Sequence, residues 1–374
     1  MQSAKGDEAR THFRLRAHTR RIERSNRGKR AASDARLLFA FLAPLTAATL
    51  AIGQAWAVPS CPVSAPISTC CIADQPATTY QLGGDITASG ECIDISARNV
   101  LFYLNGHTIS GPVGAGIGIH VLSTAANVTV SGSGGGVVQK FATGFQSDAP
   151  NTFTELLRAS LNDRGFVLNG PEAFAFLLTA SANLKNGIVA DATAKGSLIT
   201  DPISTGNGAN GIVLNGATGV TVVNAMSVEN VGYGLWLKGA SFNRIEGGDF
   251  EGNAVAGVYI GCHAGGPSNS GCSIPAGNGN TIEGIFTRLT IGSCPSGSQH
   301  NQPYGIVIDL GNSMNHVFAA ATDTSASCAA PGDTLFDGFD ANSGPACAGN
   351  FWFSNTFTLP PNHTPSPTHP YCMQ

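Results

Sequence analysis

Asp148, Asp191, Lys238 and Asp309 fall at matching places in successive copies of a short pattern, and His263 and His300 fall in the segments that interrupt it. If the copies stack at strand spacing, Asp148 and Asp191 lie two layers apart, roughly 9–10 Å between backbones. That separation suits the acid and base of an inverting glycosidase. Nearby, "NVGYGLWLK" (230–238) places Trp236 between Leu235 and Leu237. Alternation then points the two leucines inward and the indole outward. Tyr259 holds the same place one copy later, and an aromatic pair with charged and amide neighbours suits the apolar face and hydroxyls of a sugar. Asp309, Lys238, Asp191 and Asp148 are therefore the catalytic candidates, and Trp236, Tyr259, His263 and His300 the ligand-binding candidates. A plainer reading competes with this one. The aromatic pair could be a satellite core under neighbouring loops, and the Asp and Asn residues turn formers.

The pattern that positions these side chains is Asn, three residues, Gly, apolar, any, apolar. It occurs as "NLKNGIVA" (183), "NGANGIVL" (207), "NVGYGLWL" (230), "NAVAGVYI" (253) and "NQPYGIVI" (301), with steps of 24, 23, 23 and 48. Weaker copies extend upstream through Gly165, Gly144, Ile119 and "IDI" at 93–95. A fixed period of this size marks a repeat architecture. Each copy offers about three short alternating segments separated by Gly, Asn or Ser, which leaves no room for a crossover helix. Three strands per 22–24 residues, stacked layer on layer, make a parallel β-helix. Ile188, Ile212, Leu235, Val258 and Ile306 should then stack inward. Asn183, Asn207, Asn230, Asn253 and Asn301 should form a ladder of amide hydrogen bonds, with Asn tolerating the turn's left-handed backbone and Gly easing the bend.

Alternation places one outward column through Asp94, His120, Gln146, Val167, Val189, Val213, Trp236, Tyr259 and Val307. A second runs through Ser96, Leu122, Asp148, Asn169, Asp191, Asn215, Lys238, Gly261 and Asp309. Arg98, Arg158, Arg164, Arg244 and Arg288 fall in neither. Two insertions, about 261–278 and 291–300, flank the same sheet, as loops on a solenoid's binding face commonly do.

With these repeats, the opening "CIDISARNVLFYLNGHTISG" (92–111), and the closing Cys347, Asn350, Trp352, Asn355, Phe357 and Cys372, the chain resembles the right-handed parallel β-helix proteins of the pectin-lyase-like superfamily, over about 80–374. The resemblance implies an all-β, right-handed solenoid of about nine coils. It leaves function open, because that fold carries lyases, hydrolases, epimerases, adhesins and copper-site maturation factors. The paired-Asp and Gly-His-Gly signatures of polygalacturonases and the Trp-x-Asp-His stretch of pectate lyases are absent.

Composition narrows the setting. Residues 1–36 hold 11 of the 20 Lys+Arg and 4 of the 24 Asp+Glu, leaving 9 against 20 and a net charge of −11 for the remainder. The 17-residue apolar run "LLFAFLAPLTAATLAIG" and "AWA" (55–57) follow the basic leader. Residues 1–57 thus read as a signal peptide with a long basic leader, 58–92 as an N-terminal segment and cap, 93–340 as the β-helix and 341–374 as a C-terminal cap. An export signal without a spanning segment places the protein in the periplasm, at the cell surface or outside, with no membrane contact after cleavage. An acidic remainder argues against nucleic acid. All ten Cys lie after residue 57, an even number that reads as disulfides in an exported chain, with Cys262–Cys272 and Cys347–Cys372 the preferred pairs. His107, His120, His263, His300, His316, His363 and His369 show no short ligand spacing, so no metal residues are assigned. No motif supports a calcium ion, and no cofactor is expected.

The expected role is recognition, with processing of an extracellular polysaccharide by lyase, hydrolase or epimerase chemistry as its catalytic form. The first alternative is a non-catalytic structural or adhesive cell-surface protein. The second is a periplasmic metal-site maturation or binding factor.

Overall fold

A computed structural model describes residues 58–263, 277–288, 304–323, 336–342, 347–357 and 362–363. His300, Asn301, Cys272 and Cys372 lie outside the described residues, as do most of the two insertions. The described chain falls in one compact unit, 57–374. It is an all-β parallel solenoid with no α-helix among the described residues.

Each coil gives one strand to a 12-stranded sheet, and the remaining strands form a 20-stranded sheet around the other sides. In the first sheet Ile188–Asp191, Ile212–Asn215, Tyr233–Lys238, Ala256–Ile260 and Tyr304–Ile308 pair in parallel and in the expected register. Ile188 meets Ile212, then Leu235, Val258 and Ile306. All five are fully buried. Burial of an aliphatic side chain of this size is worth about 2 kcal/mol. The sheet also begins earlier and ends later than the sequence suggests. Cys71–Ala73 pairs with Ile93–Ile95, and Phe336–Asp340 pairs with Asn362–His363. The segments read as caps therefore contribute strands of their own.

The asparagine ladder is present from Asn183 to Asn253 and begins one coil earlier than expected, at Asn162. Asn162 Nδ2 donates to Asn183 Oδ1, Asn183 to Asn207, Asn207 to Asn230 and Asn230 to Asn253, at 2.9–3.2 Å. Each carbonyl also receives the backbone N–H of the preceding ladder residue, as from Asn207 to Asn230 at 3.0 Å. A second ladder joins Asn243, Asn280, Asn315 and Asn350. The left-handed backbone does not belong to the ladder asparagines. It belongs to the residue before each one, as at Leu161, Ala182, Gly206, Glu229 and Gly252. The repeat glycines are explained by space rather than by φ. A Cβ on Gly211 would lie 1.9 Å from Ser227 Oγ and 2.7 Å from Asn230 Nδ2. The next coil's amide occupies that volume.

Two disulfides close the N-terminal end, Cys61–Cys71 and Cys70–Cys92. Neither was among the preferred pairs. Cys262 is also disulfide-bonded.

Candidate functional site

The first outward column keeps its expected register from end to end. Asp94 meets His120, His120 meets Gln146, Val213 meets Trp236, Trp236 meets Tyr259, and Tyr259 meets Val307. Register alone does not put the aromatic pair in water. Trp236 is 8 % exposed and Tyr259 0 %. They belong to a second apolar cluster with Val167, Val189, Val213, Tyr233, Val307 and Phe339 on the outside of the sheet. The open sugar platform expected from alternation is corrected accordingly. The rings are also not stacked. Trp236 and Tyr259 lie 6.4 Å apart and tilted by 57°, whereas Tyr259 stacks on Tyr233 at 4.4 Å and 3°.

Polar ends of these rings are tied down. Trp236 Nε1 donates to the carbonyl of Gly261 at 2.7 Å, and Tyr233 OH donates to that of His263 at 2.8 Å. Tyr259 OH donates to Asp309 Oδ2 at 2.7 Å, and His263 Nδ1 lies 2.5 Å from the same oxygen. Burial, followed by the hydrogen bond to Asp309, pushes the Tyr259 phenol well above its ordinary range. Gly261 makes room for this knot, since a Cβ there would lie 2.6 Å from Cβ of Asp309 and 2.7 Å from Cζ of Tyr259. His263 and Asp309, candidates 46 residues apart, are thus brought together. Asp309 is fully buried, so it orients His263 and Tyr259 rather than facing a ligand.

An open cleft of about 230 Å³ lies on the other side of Trp236. Val189 and Val213 form its floor, and Trp236, Arg164, Asn186, Asp191, Asn215 and Lys238 line it. Lys238 Nζ stands 5.1 Å from the indole centroid, and Asn215 Nδ2 donates to Asp191 Oδ1 at 2.7 Å. Asp191 and Lys238 are second-column candidates and do meet here. Arg164 was set aside and Asn186 went unnoticed because both stand ahead of the alternating segments, outside both columns. Asp148 is not in this cleft. Its carboxylate takes His120 Nε2 at 2.7 Å, Asn169 Nδ2 at 2.6 Å and Gln146 Nε2 at 3.1 Å. Burial opposes its ionisation, but these donors together hold the carboxyl below its ordinary range. His120 Nδ1 lies 3.1 Å from Glu91 Oε1. Burial raises the neighbouring Asp94 carboxyl, and the charge of Glu91 adds to the effect.

Residues 99–356 match the family model "Periplasmic copper-binding protein (NosD)", and the chain belongs to that family. A search among curated proteins found no match. Among solved structures the chain is similar to the Dettilon tailspike protein, at 13 % identity and TM-score 0.58, covering 78 % of this chain and 60 % of that one. It is also similar to the Azotobacter vinelandii mannuronan C-5 epimerase AlgE6 A-module, at 15 % identity and TM-score 0.51, covering 82 % and 77 %. The chain spans 60 % of the tailspike's length. These likenesses confirm a right-handed β-helix. The family is periplasmic, and this protein is exported. No helix among the described residues is long and apolar enough to cross a membrane.

The family description raises copper, and two side-chain groups among the described residues have three donor atoms close together. Cys262, His263 and Asp309 do not suit it. Cys262 is in a disulfide and offers no thiolate, while Asp309 Oδ2 already accepts from Tyr259 and contacts His263. Glu91, Asp94 and His120 offer two carboxylates and one imidazole. Without thiolate or thioether this set is wrong for Cu(I) but suits a divalent ion.

Proposed function

We propose that the cleft beside Trp236 binds a polysaccharide outside the cytoplasm. The observation that carries this reading is the lining itself. One indole (Trp236), two cations (Arg164 and Lys238), one carboxylate (Asp191) and two amides (Asn186 and Asn215) converge over a valine floor. Sugar recognition needs this mixture of apolar contact and fixed polar groups. Only nine Lys or Arg remain after residue 57, and two of them meet here. Likeness to a tailspike and to a mannuronan epimerase supports the reading at the level of fold. Within it, Asp191 and Lys238 are the groups available to a bound sugar, Trp236 supplies a wall, and Tyr259, His263 and Asp309 hold that wall.

Binding of the mature protein to immobilised glycans, followed by Lys238→Ala and Arg164→Ala, tests this. Each change should weaken binding at least tenfold, with the melting temperature unchanged. Glycan binding unaltered in both variants would remove the cleft from the function. No binding to any glycan would favour a structural or adhesive role. The family description favours a second reading, metal handling, for which Glu91, Asp94 and His120 are the suitable donors.

A further inference from the structure

We infer that Glu91, Asp94 and His120 form a site for one divalent cation with borderline affinity for nitrogen, of the zinc or manganese type, at the N-terminal end of the outer column. Asp148 Oδ2 sits 2.7 Å from His120 Nε2, the closer of the two ring contacts, and is best served by the tautomer that carries its proton on Nε2. Nδ1 of a neutral ring then presents a lone pair, yet its neighbour at 3.1 Å is the Glu91 carboxylate, which also has only lone pairs. A donor atom of Asp94 lies within 4.8 Å of both. Asp94 Oδ1 is itself buried without a hydrogen-bond partner. A buried acceptor without a partner is costly, and three acceptors converging with nothing between them repel one another. A cation at their centre resolves all three conflicts at once.

Surrounding groups have the arrangement of a ligand shell. A metal-bound histidine ordinarily donates its other N–H to a carboxylate, which fixes the ring and raises its basicity. Asp148 has that position, and Asn169 and Gln146 hold it there. Neighbouring strands set the spacing, because Asp94 is paired with His120 across the ladder and both belong to rigid coils. Two oxygens and one imidazole nitrogen favour first-row divalent ions over calcium, and the lack of sulfur disfavours Cu(I). The competing cation is a proton on Nδ1, which would make His120 an imidazolium between two carboxylates.

Calorimetric titration of the metal-free mature protein with zinc, and then with calcium, separates these cases. Zinc should bind at one equivalent and raise the melting temperature, with calcium at least tenfold weaker. His120→Gln and Asp94→Asn should each weaken zinc at least tenfold, while His107→Gln, at a separate exposed histidine, leaves it unchanged. Without metal, Asp94→Asn should melt no lower than the parent, because it removes a carboxylate that burial disfavours and whose Oδ1 has no hydrogen-bond partner. This combination, lost metal response with undiminished metal-free stability, is not expected of a residue that merely holds the fold. Zinc binding equal in the parent and in His120→Gln would overturn the site. So would calcium binding as tight as zinc and indifferent to His120→Gln. A parent protein that binds neither ion would assign the position to the imidazolium.

Discussion

One outward column of one sheet has two opposite characters. At Asp94, His120 and Gln146 the side chains are partly exposed and charged or amide, and His120 and Gln146 are both hydrogen-bonded to Asp148. At Trp236, Tyr259, Val307 and Phe339 the same positions are buried in an apolar cluster, with Asp309 sealed inside it. Backbone, register and strand direction are shared. The difference lies in what covers each end. Gly261 and His263 give their carbonyls to the Trp236 indole and the Tyr233 phenol, so the chain leaving the strand lies over the rings. A solenoid face is therefore a surface or a satellite core according to its cover, and strand alternation alone does not decide which.

The largest expected effect tests the covered end. Trp236→Ala should lower stability by about 3 kcal/mol, as for large-to-small changes in a core, measured by denaturant unfolding. A loss under about 1 kcal/mol would show that the indole is surface after all and restore the open sugar platform. Asp309→Asn should cost about 2–3 kcal/mol, because Tyr259 and His263 both depend on its oxygen. A double-mutant cycle with Tyr259→Phe should show clear non-additivity, and simple addition would argue that the bond contributes little. Asn230→Ala, on the inner side of the coil bearing Trp236, should cost about 2 kcal/mol by breaking the ladder. It should leave glycan binding intact at temperatures where the protein stays folded. His120→Gln should have the smallest effect on the metal-free protein, under about 1 kcal/mol, since its partners are only partly buried. A larger loss at that end would erase the contrast between the two regions.

Periodicity made much of this legible. The inward stack from Ile188 to Ile306 and the outward column from Asp94 to Val307 follow from two-residue alternation read at a constant coil length. Where the coil length changed, the reading failed. The second ladder steps by 37, 35 and 35 residues through Asn243, Asn280, Asn315 and Asn350, so the 23-residue period passes over it. "NRIEG" and "NTIEG" carried the signal in their shared Asn. The burial of Tyr259 was one of two open readings and that of Asp309 was not legible, because cover comes from segments whose path no strand pattern specifies. Arg164 and Asn186 were missed because the first stands at the very start of its strand and the second before the next one, where an alternation argument assigns no side. The left-handed turn position escaped for a related reason. Leu161, Ala182 and Glu229 occupy it without any residue type in common.

Cys70 and Cys71 are neighbours, yet one bridge runs back to Cys61 and the other forward to Cys92. In a stack where each coil touches only the next, loss of structure enters at an end and travels inward. The paired bridges bolt this end shut. Reduction would supply a second point of entry at the first coils, next to Glu91 and Asp94. An oxidising compartment thus does more for this chain than add stability; it keeps one of the two doors to the stack locked.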